Sequence, residues 1–245
     1  MAEPDFVRPD WPVPCQVRAA VSLRTGGSSA GRYASLNVGA HVGDEPVAVA
    51  ENRARLRNAL GLPAEPLWLE QVHGTAVARF GSDGRPVADA AVACKAGQVC
   101  VVMVADCLPV LLADGAGSCV GVAHAGWRGL ATGVIEATVS ALPVSPGSLT
   151  AWLGPAIGPE AFEVGAEVRE RFVADDPAAQ AEFRPGRGDR WFADLYGLAR
   201  RRLRAAGVTA VHGGDFCTAS DPARFFSYRR DGVTGRMAAL IWLQG

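Results

Sequence analysis

The stretch QVCVVMVADCLPVLLADGAGSCVGVAHAGWRGL, residues 98–130, decides how this chain folds. Its opening residues 98–104 (QVCVVMV) form an apolar run of β type. Residues 105–109 (ADCLP) read as a turn, 110–113 as a second strand and SCVGVAHAG (118–126) as a third. A helix is expected from Leu130 to Leu142. There Leu130, Val134, Ala137 and Ala141 recur at helical spacing, while Ile135, Val139 and Leu142 widen the apolar face.

Upstream of this block, residues 16–23 (QVRAAVSL) read as a strand, followed by a Gly/Ser turn through Thr25–Gly31. A helix is expected to start near Asp44, with Pro46 in its first turn and Gly61 just past its end. Residues 65–74 (EPLWLEQVHG) predict a strand that continues past the glycine as TAVARF, to residue 80. Downstream come a strand at 150–154, a helix around Val164–Phe172 and an Arg-rich amphipathic helix, Asp194–Ala206. Strands near Val208–His212 and Met237–Leu243 end the pattern. Strands and helices mix without regular βαβ alternation, so an α+β sandwich is expected in preference to a doubly wound parallel sheet.

At 245 residues and 49% hydrophobic, the chain can bury a large core. No low-complexity linker or repeat divides it, so residues 1–245 are read as a single domain. Basic and acidic residues balance, 24 against 25, and no extended basic block occurs, which argues against nucleic acid as a partner. The segment MAEPDFVRPDWPVPCQV lacks a long apolar core, so no signal peptide is expected. The strongest apolar run, Val99 to Ala105, is too short to span a bilayer. A cytoplasmic protein with no membrane partner follows, monomeric in preference to oligomeric. In that setting the six cysteines read as reduced thiols, with Cys15, Cys94, Cys100, Cys119 and Cys217 as packing residues.

Cys107 is set apart by its neighbours. It lies in ADCLPVLL, and two of the four histidines, His73 in WLEQVHG and His124 in HAGWRGL, share its setting beside an apolar run and a tight turn. Two imidazoles and one thiolate are the donor set of a catalytic zinc site whose fourth position stays open. Zinc so held remains a Lewis acid and brings the pKa of a bound water from about 15.7 towards about 7. Glycines 74, 126 and 129 would let backbone approach a ligand closely. The same three residues also read as two satisfied structural histidines and a small buried thiol.

Other candidates carry similar alternatives. Asp106, beside Cys107, could shuttle a proton or hold an imidazole's second nitrogen, or simply cap a turn. Arg128 stands just before the helix expected at Leu130, where free N–H groups and the positive helix end would favour a phosphate. Arg24, Arg229 and Arg230 compete for that anion, or each forms an ordinary salt bridge. Ser35 and Asn37 could hydrogen-bond a sugar or base, or form a turn. Tyr33, Trp68 and Phe226 could stack on a base or pack in the core.

Seven blocks in order give the chain a family resemblance. They are RTGGSSAGRYASLNVGAHVGD (24–44), ENRARL (51–56), WLEQVHG (68–74), ADCLPVLLAD (105–114), HAGWRGL (124–130), WLGPAIGP (152–159) and FFSYRRDGVTGRMAALIWL (225–243). Together they resemble the bacterial laccase-domain proteins, also called polyphenol oxidases or purine nucleoside phosphorylases, which include peptidoglycan editing factors. The resemblance implies a four-layer α-β-β-α sandwich with mixed sheets, a fold shared with cysteine-dependent toxin deamidases. It implies one Zn2+ held by His73, Cys107 and His124. It also implies phosphorolysis of adenosine, inosine, guanosine and methylthioadenosine with phosphate, and deamination of adenosine. Editing members would instead hydrolyse a mischarged muramyl-amino acid nucleotide. The chain departs from the family pattern at Arg32 and within residues 90–95, positions that bear on pocket walls and so on substrate choice.

A copper polyphenol oxidase needs further imidazoles for its oxygen-reducing coppers. Only His41 and His212 remain, and there is no HxH pair. Cu2+ could still enter the His/Cys site in vitro, because it outcompetes zinc for such donors. A cytidine-deaminase type of site is absent too, since neither HxE nor PCxxC occurs. A metal-free pair of Cys107 with His124 or His73, acting as an amidase, and a non-catalytic binding protein complete the readings.

Overall fold

Side chains alternate across a strand, so a strand buried at every position must be covered on both faces. That rule organises the computed structural model, which describes residues 3–81 and 84–245. Strands β1 (Phe6–Val7) and β2 (Val17–Ser22) precede helix α1 (Pro46–Leu60). β3 (Val77–Ala78), β4 (Ala90–Ala93), β5 (Val99–Val104), β6 (Leu108–Asp114) and β7 (Val120–Ala125) follow, then α2 (Trp127–Thr132) and α3 (Val134–Ala141). Next come β8 (Leu149–Leu153), β9 (Glu163–Val164), α4 (Ala166–Asp175), β10 (Phe183–Pro185), β11 (Trp191–Ala193) and α5 (Leu195–Ala205). β12 (Ala210–Gly213), α6 (Tyr228–Asp231) and β13 (Met237–Leu243) end the order.

One sheet runs β1-β2-β13-β5 and is antiparallel throughout. The other runs β12-β8-β6-β7-β4-β3 and is mixed, with parallel pairs at both edges. Odd and even residues of β5 go to different cores. Val99, Val101 and Met103 meet Leu56 of α1, while Cys100, Val102 and Val104 face Leu111, Ala113, Val120 and Val122 of the second sheet. That sheet's opposite face, including Leu108, Val110 and Leu112, packs on α2, α3, α4 and α5. The result is the expected α-β-β-α order: α1, four strands, six strands, helices. A small antiparallel sheet, β10-β11-β9, lies outside the two main sheets.

The helix punctuation in α1 agrees with its sequence: Pro46 opens it, and Gly61 closes it in the left-handed region with its N–H on the Arg57 and Asn58 carbonyls. Asp194 caps α5 by accepting from the Tyr196 and Gly197 N–H groups. Among the described residues, no helix is long and apolar enough to cross a membrane.

Three expectations are corrected. The strand expected over 65–80 reduces to Val77–Ala78 plus isolated bridges at Leu67 and Glu70. Its middle is diverted because the N–H groups of Val72, His73 and Gly74 bond to the Asp89 carboxylate. The helix expected over 130–142 is two helices, broken where Gly133 takes φ +102°. The break shifts the helical phase, so the buried stripe of α3 is Val134, Ile135, Thr138 and Val139. Finally, Cys94 and Cys119 are joined in a disulfide instead of being free thiols. Ala93 pairs with Val120 at the end of the β4–β7 ladder, so the next residues of each chain segment face one another.

Gly133→Ala should destabilise the protein by about 1–2 kcal/mol, the cost of holding an L-residue in the left-handed region. Urea titration followed by far-UV circular dichroism would measure it; an unchanged midpoint would mean the α2–α3 break is not imposed by that glycine.

Candidate metal centre

Register brings two of the candidate ligands together. β5 lies in one sheet and β6 in the other, so Ala105–Cys107 must cross the sandwich in three residues. Asp106 takes φ +88° to do so. Cys107 then sits at the start of β6, whose Leu108 and Pro109 pair with Ala125 and His124 at the end of β7. The third candidate arrives on the loop diverted by Asp89, with His73 itself at φ +60°. A left-handed non-glycine residue costs about 1–2 kcal/mol, which the three amide bonds to Asp89 can offset.

The donor atoms of His73, Cys107 and His124 all lie within 4.8 Å of one another. Cys107 Sγ is 3.8 Å from His73 Nε2, and the two imidazole rings meet edge-on with centroids 4.9 Å apart. Gly126 adjoins them so closely that a Cβ there would lie 2.9 Å from both Cys107 Sγ and His73 Cδ2. His124 Nδ1 is 2.8 Å from Asp89 Oδ1, leaving Nε2 for the cluster.

Burial alone would push the Cys107 thiol up, but the charge and hydrogen bonding of His124, with His73, outweigh it and bring the thiol down to about 6. Burial would lower His124, yet the Cys107 thiolate and Asp89 raise it to about 9. For Asp89, burial is outweighed by the His124 bond and the Gly74 and Val72 amides, which hold it below the usual carboxylate range. Without a metal the group is therefore a thiolate–imidazolium–carboxylate array. A thiolate and two imidazoles within one ion's reach fit zinc as a donor set.

The cluster opens onto a cavity of about 600 Å³. Trp127, Ile157, Phe162 and Val164 give it an apolar side, and Arg128 and Arg229 stand on its wall. Arg128 is exposed and stacks 4.4 Å from the Trp127 ring centroid, inside the first turn of α2 instead of ahead of a helix at Leu130. Arg229 reaches the Glu163 and Ala161 carbonyls and lies over Phe162.

Other candidates are placed elsewhere or already engaged. Asp106 does not meet an imidazole. Its Oδ1 accepts from Thr218 Oγ1 at 2.5 Å and its Oδ2 from the Arg229 N–H at 2.6 Å, so it anchors the crossing turn. Arg24 donates to the Ala34 and Pro222 carbonyls, and Arg230 to those of Thr218, Ala219 and Phe225, outside the cavity wall. Ser35 bonds the Arg24 carbonyl and the Gly27 N–H. Asn37 bridges Gly39, Asp44 and the Arg236 N–H. Tyr33 bonds the Val42 carbonyl, Trp68 packs under Arg53 and Phe226 is fully buried.

The sequence reading missed Asp89, His41 and Arg236. His41 and Arg236 line the cavity. Burial, then Arg236, Arg85 and Arg53, lowers the His41 pKa and favours its neutral form. His41 lies in a block already matched to the family, whereas nothing in the neighbourhood of Asp89 along the chain points 35 residues ahead to His124.

A family model described as multi-copper polyphenol oxidoreductase laccase matches residues 18–244. The chain belongs to that family. A protein named purine nucleoside phosphorylase from Pseudomonas aeruginosa is 55% identical over 240 residues, covering 98% of each chain. Purine nucleoside phosphorylase YfiH of Escherichia coli is 54% identical, covering 97% of this chain and 98% of that one. The crystal structure of NMB0706 from Neisseria meningitidis superposes with a TM-score of 0.94 at 48% identity, over 98% of this chain and 99% of that one. The family's fold is thus this chain's fold.

Two outcomes test the centre. In metal-stripped protein, alkylation of Cys107 by iodoacetamide, read by peptide mass spectrometry, should stay near its plateau down to about pH 6 and fall below it. This follows because lowering the thiol's pKa extends the thiolate towards acid; a rate that already falls tenfold per unit below pH 8 would contradict it. Gly126→Ala should weaken metal binding about tenfold or more while leaving the circular dichroism spectrum intact, because the added methyl displaces two ligands.

Proposed function

We propose that this chain is a zinc-dependent purine nucleoside phosphorylase acting on adenosine, inosine, guanosine and methylthioadenosine, with adenosine deaminase activity. The observation that carries the reading is the convergence of His73, Cys107 and His124 at a cavity of about 600 Å³, within the range that takes small ligands. The names of its close relatives support the same reaction.

His73, Cys107 and His124 would hold the ion, which when bound supplies a Lewis acid at the cavity wall. The other residues bind and orient. The apolar side formed by Trp127, Ile157 and Phe162 receives the purine, and the exposed guanidinium of Arg128 receives phosphate. In phosphorolysis a phosphate oxygen forms a bond to C1′ as the bond to the purine nitrogen breaks. The electron pair and a proton go to the base, giving free purine and ribose 1-phosphate. In deamination water adds at C6 and ammonia leaves, giving inosine. Asp106, with both oxygens engaged, holds the Cys107 turn in place and does not carry the proton. Copper oxidase chemistry is a poorer match, because the cavity wall adds one histidine, His41, to the two of the cluster, and His212 lies on β12.

One observation favours a second reading. Asp89, His124 and Cys107 align as carboxylate, imidazole and thiolate, which in metal-free protein is the arrangement of a cysteine amidase.

Protein purified without chelator should carry about one zinc per chain by elemental analysis. Inosine with phosphate should yield hypoxanthine and ribose 1-phosphate, and Cys107→Ala should keep the fold while losing most metal and turnover. Amide hydrolysis that survives metal removal but is abolished by alkylation of Cys107 would establish the amidase reading instead. Turnover of a muramyl-amino acid nucleotide with none of any purine nucleoside would replace both.

Arg128→Ala should raise the KM for phosphate by about tenfold or more, as expected for loss of a charge-assisted contact, while sparing adenosine deamination. Equal losses in the two reactions would mark Arg128 as structural.

A further inference from the structure

One fully buried carboxylate touches both histidine-bearing segments. Asp89 precedes β4 and is 0% exposed. Its Oδ1 accepts from the His73 N–H at 2.9 Å and meets His124 Nδ1 at 2.8 Å. Its Oδ2 accepts from the Val72 N–H at 3.1 Å and the Gly74 N–H at 2.7 Å. The Asp89 backbone takes part as well, its carbonyl accepting from the His124 N–H at 2.7 Å and its N–H donating to the Ala76 carbonyl at 3.0 Å.

We propose that Asp89 is a positioning residue that sets the spacing and orientation of His73 and His124 within the metal centre. This inference rests on the metal reading given above. A carboxylate can only accept, so in the neutral form of His124 that binds a metal the proton lies on Nδ1 and the lone pair of Nε2 is turned to the cluster. Three consecutive N–H groups converging on the same carboxylate hold residues 72–74 in the turn that presents His73. The His124 ring and the backbone that carries His73 are bonded to the same carboxylate oxygen, so neither can shift without disturbing the other's anchor. A network with every acceptor filled is also intolerant of an acceptor becoming a donor.

Asp89→Asn makes that change at nearly constant volume. One of its two terminal atoms becomes an NH2 facing N–H groups, either those of His73 and His124 or those of Val72 and Gly74. Zinc affinity, measured by competition with a chromophoric chelator, should fall 10–100-fold, the usual loss when a ligand's outer partner is removed. The visible spectrum of the cobalt-substituted variant should differ from wild type in band position or intensity. Asp89→Asn with wild-type zinc affinity and an identical cobalt spectrum would overturn the inference, even if its Tm fell, because a merely stabilising carboxylate would move Tm alone.

Should the variant fail to fold, nitrogen-15 NMR of the zinc-loaded wild-type protein decides. Protonated Nδ1 on His124 supports the inference, and Nδ1 bound to metal overturns it. Failure of the wild-type protein to bind zinc or cobalt would overturn the metal reading itself and this inference with it, a result distinct from bound metal that ignores Asp89.

Discussion

The three-residue link from β5 to β6 is the constraint on which the rest of the site depends. Stacked sheets lie about 10 Å apart, and a chain covers at most about 3.3–3.6 Å per residue. A crossing through Ala105, Asp106 and Cys107 therefore has little slack. The buried strands on either side cannot give way, since β5 and β6 are buried at every position. The strain is taken up at Asp106, whose positive φ is held by Thr218 and Arg229 through its side chain and by the Ile157 N–H on its carbonyl. Cys107 is delivered to the end of the sandwich as a consequence of this turn, and the β6–β7 register places His124 there as well.

Electrostatics then stabilises what geometry assembles. Each group in the cluster would lose by burial if it were alone. Taking a charge out of water carries a penalty of several kcal/mol that only close, well-bonded partners offset. Here His124 lies between the thiolate of Cys107 and the carboxylate of Asp89, so burial is outweighed for all three. The same arrangement keeps the thiol in the form that binds a metal or attacks a carbonyl. That common requirement is why one constellation supports both the phosphorylase and the amidase readings.

The arginines divide along a different line. Arg24 uses its donors on loop carbonyls, and Arg230 divides its donors between loop carbonyls and a salt bridge to Asp231, roles suited to a planar group with five N–H bonds. Arg128 keeps its guanidinium on the cavity wall, over an indole face. Each has a glycine within two residues along the chain, and the linear sequence carries no mark that separates a carbonyl clamp from an anion contact.

Composition and periodicity by themselves determined the fold class, the limits of α1, α5 and β13, and the three side chains whose chemistry suits a metal. Those features are local: a helix needs its caps and stripe, a strand its apolar run, and a zinc site its imidazoles and thiolate. Tertiary structure alone decided what depends on distant partners. Residues 72–74 forsake a strand because a carboxylate 15 to 17 residues away captures their amides. Gly133 could have continued a helix and breaks it, and Cys94 meets Cys119 only because β4 and β7 pair in one register. Asp89 takes the role that Asp106's position suggests, since an imidazole is oriented by what lies beside it in space, and the neighbour of a ligand along the chain is spent on holding the turn.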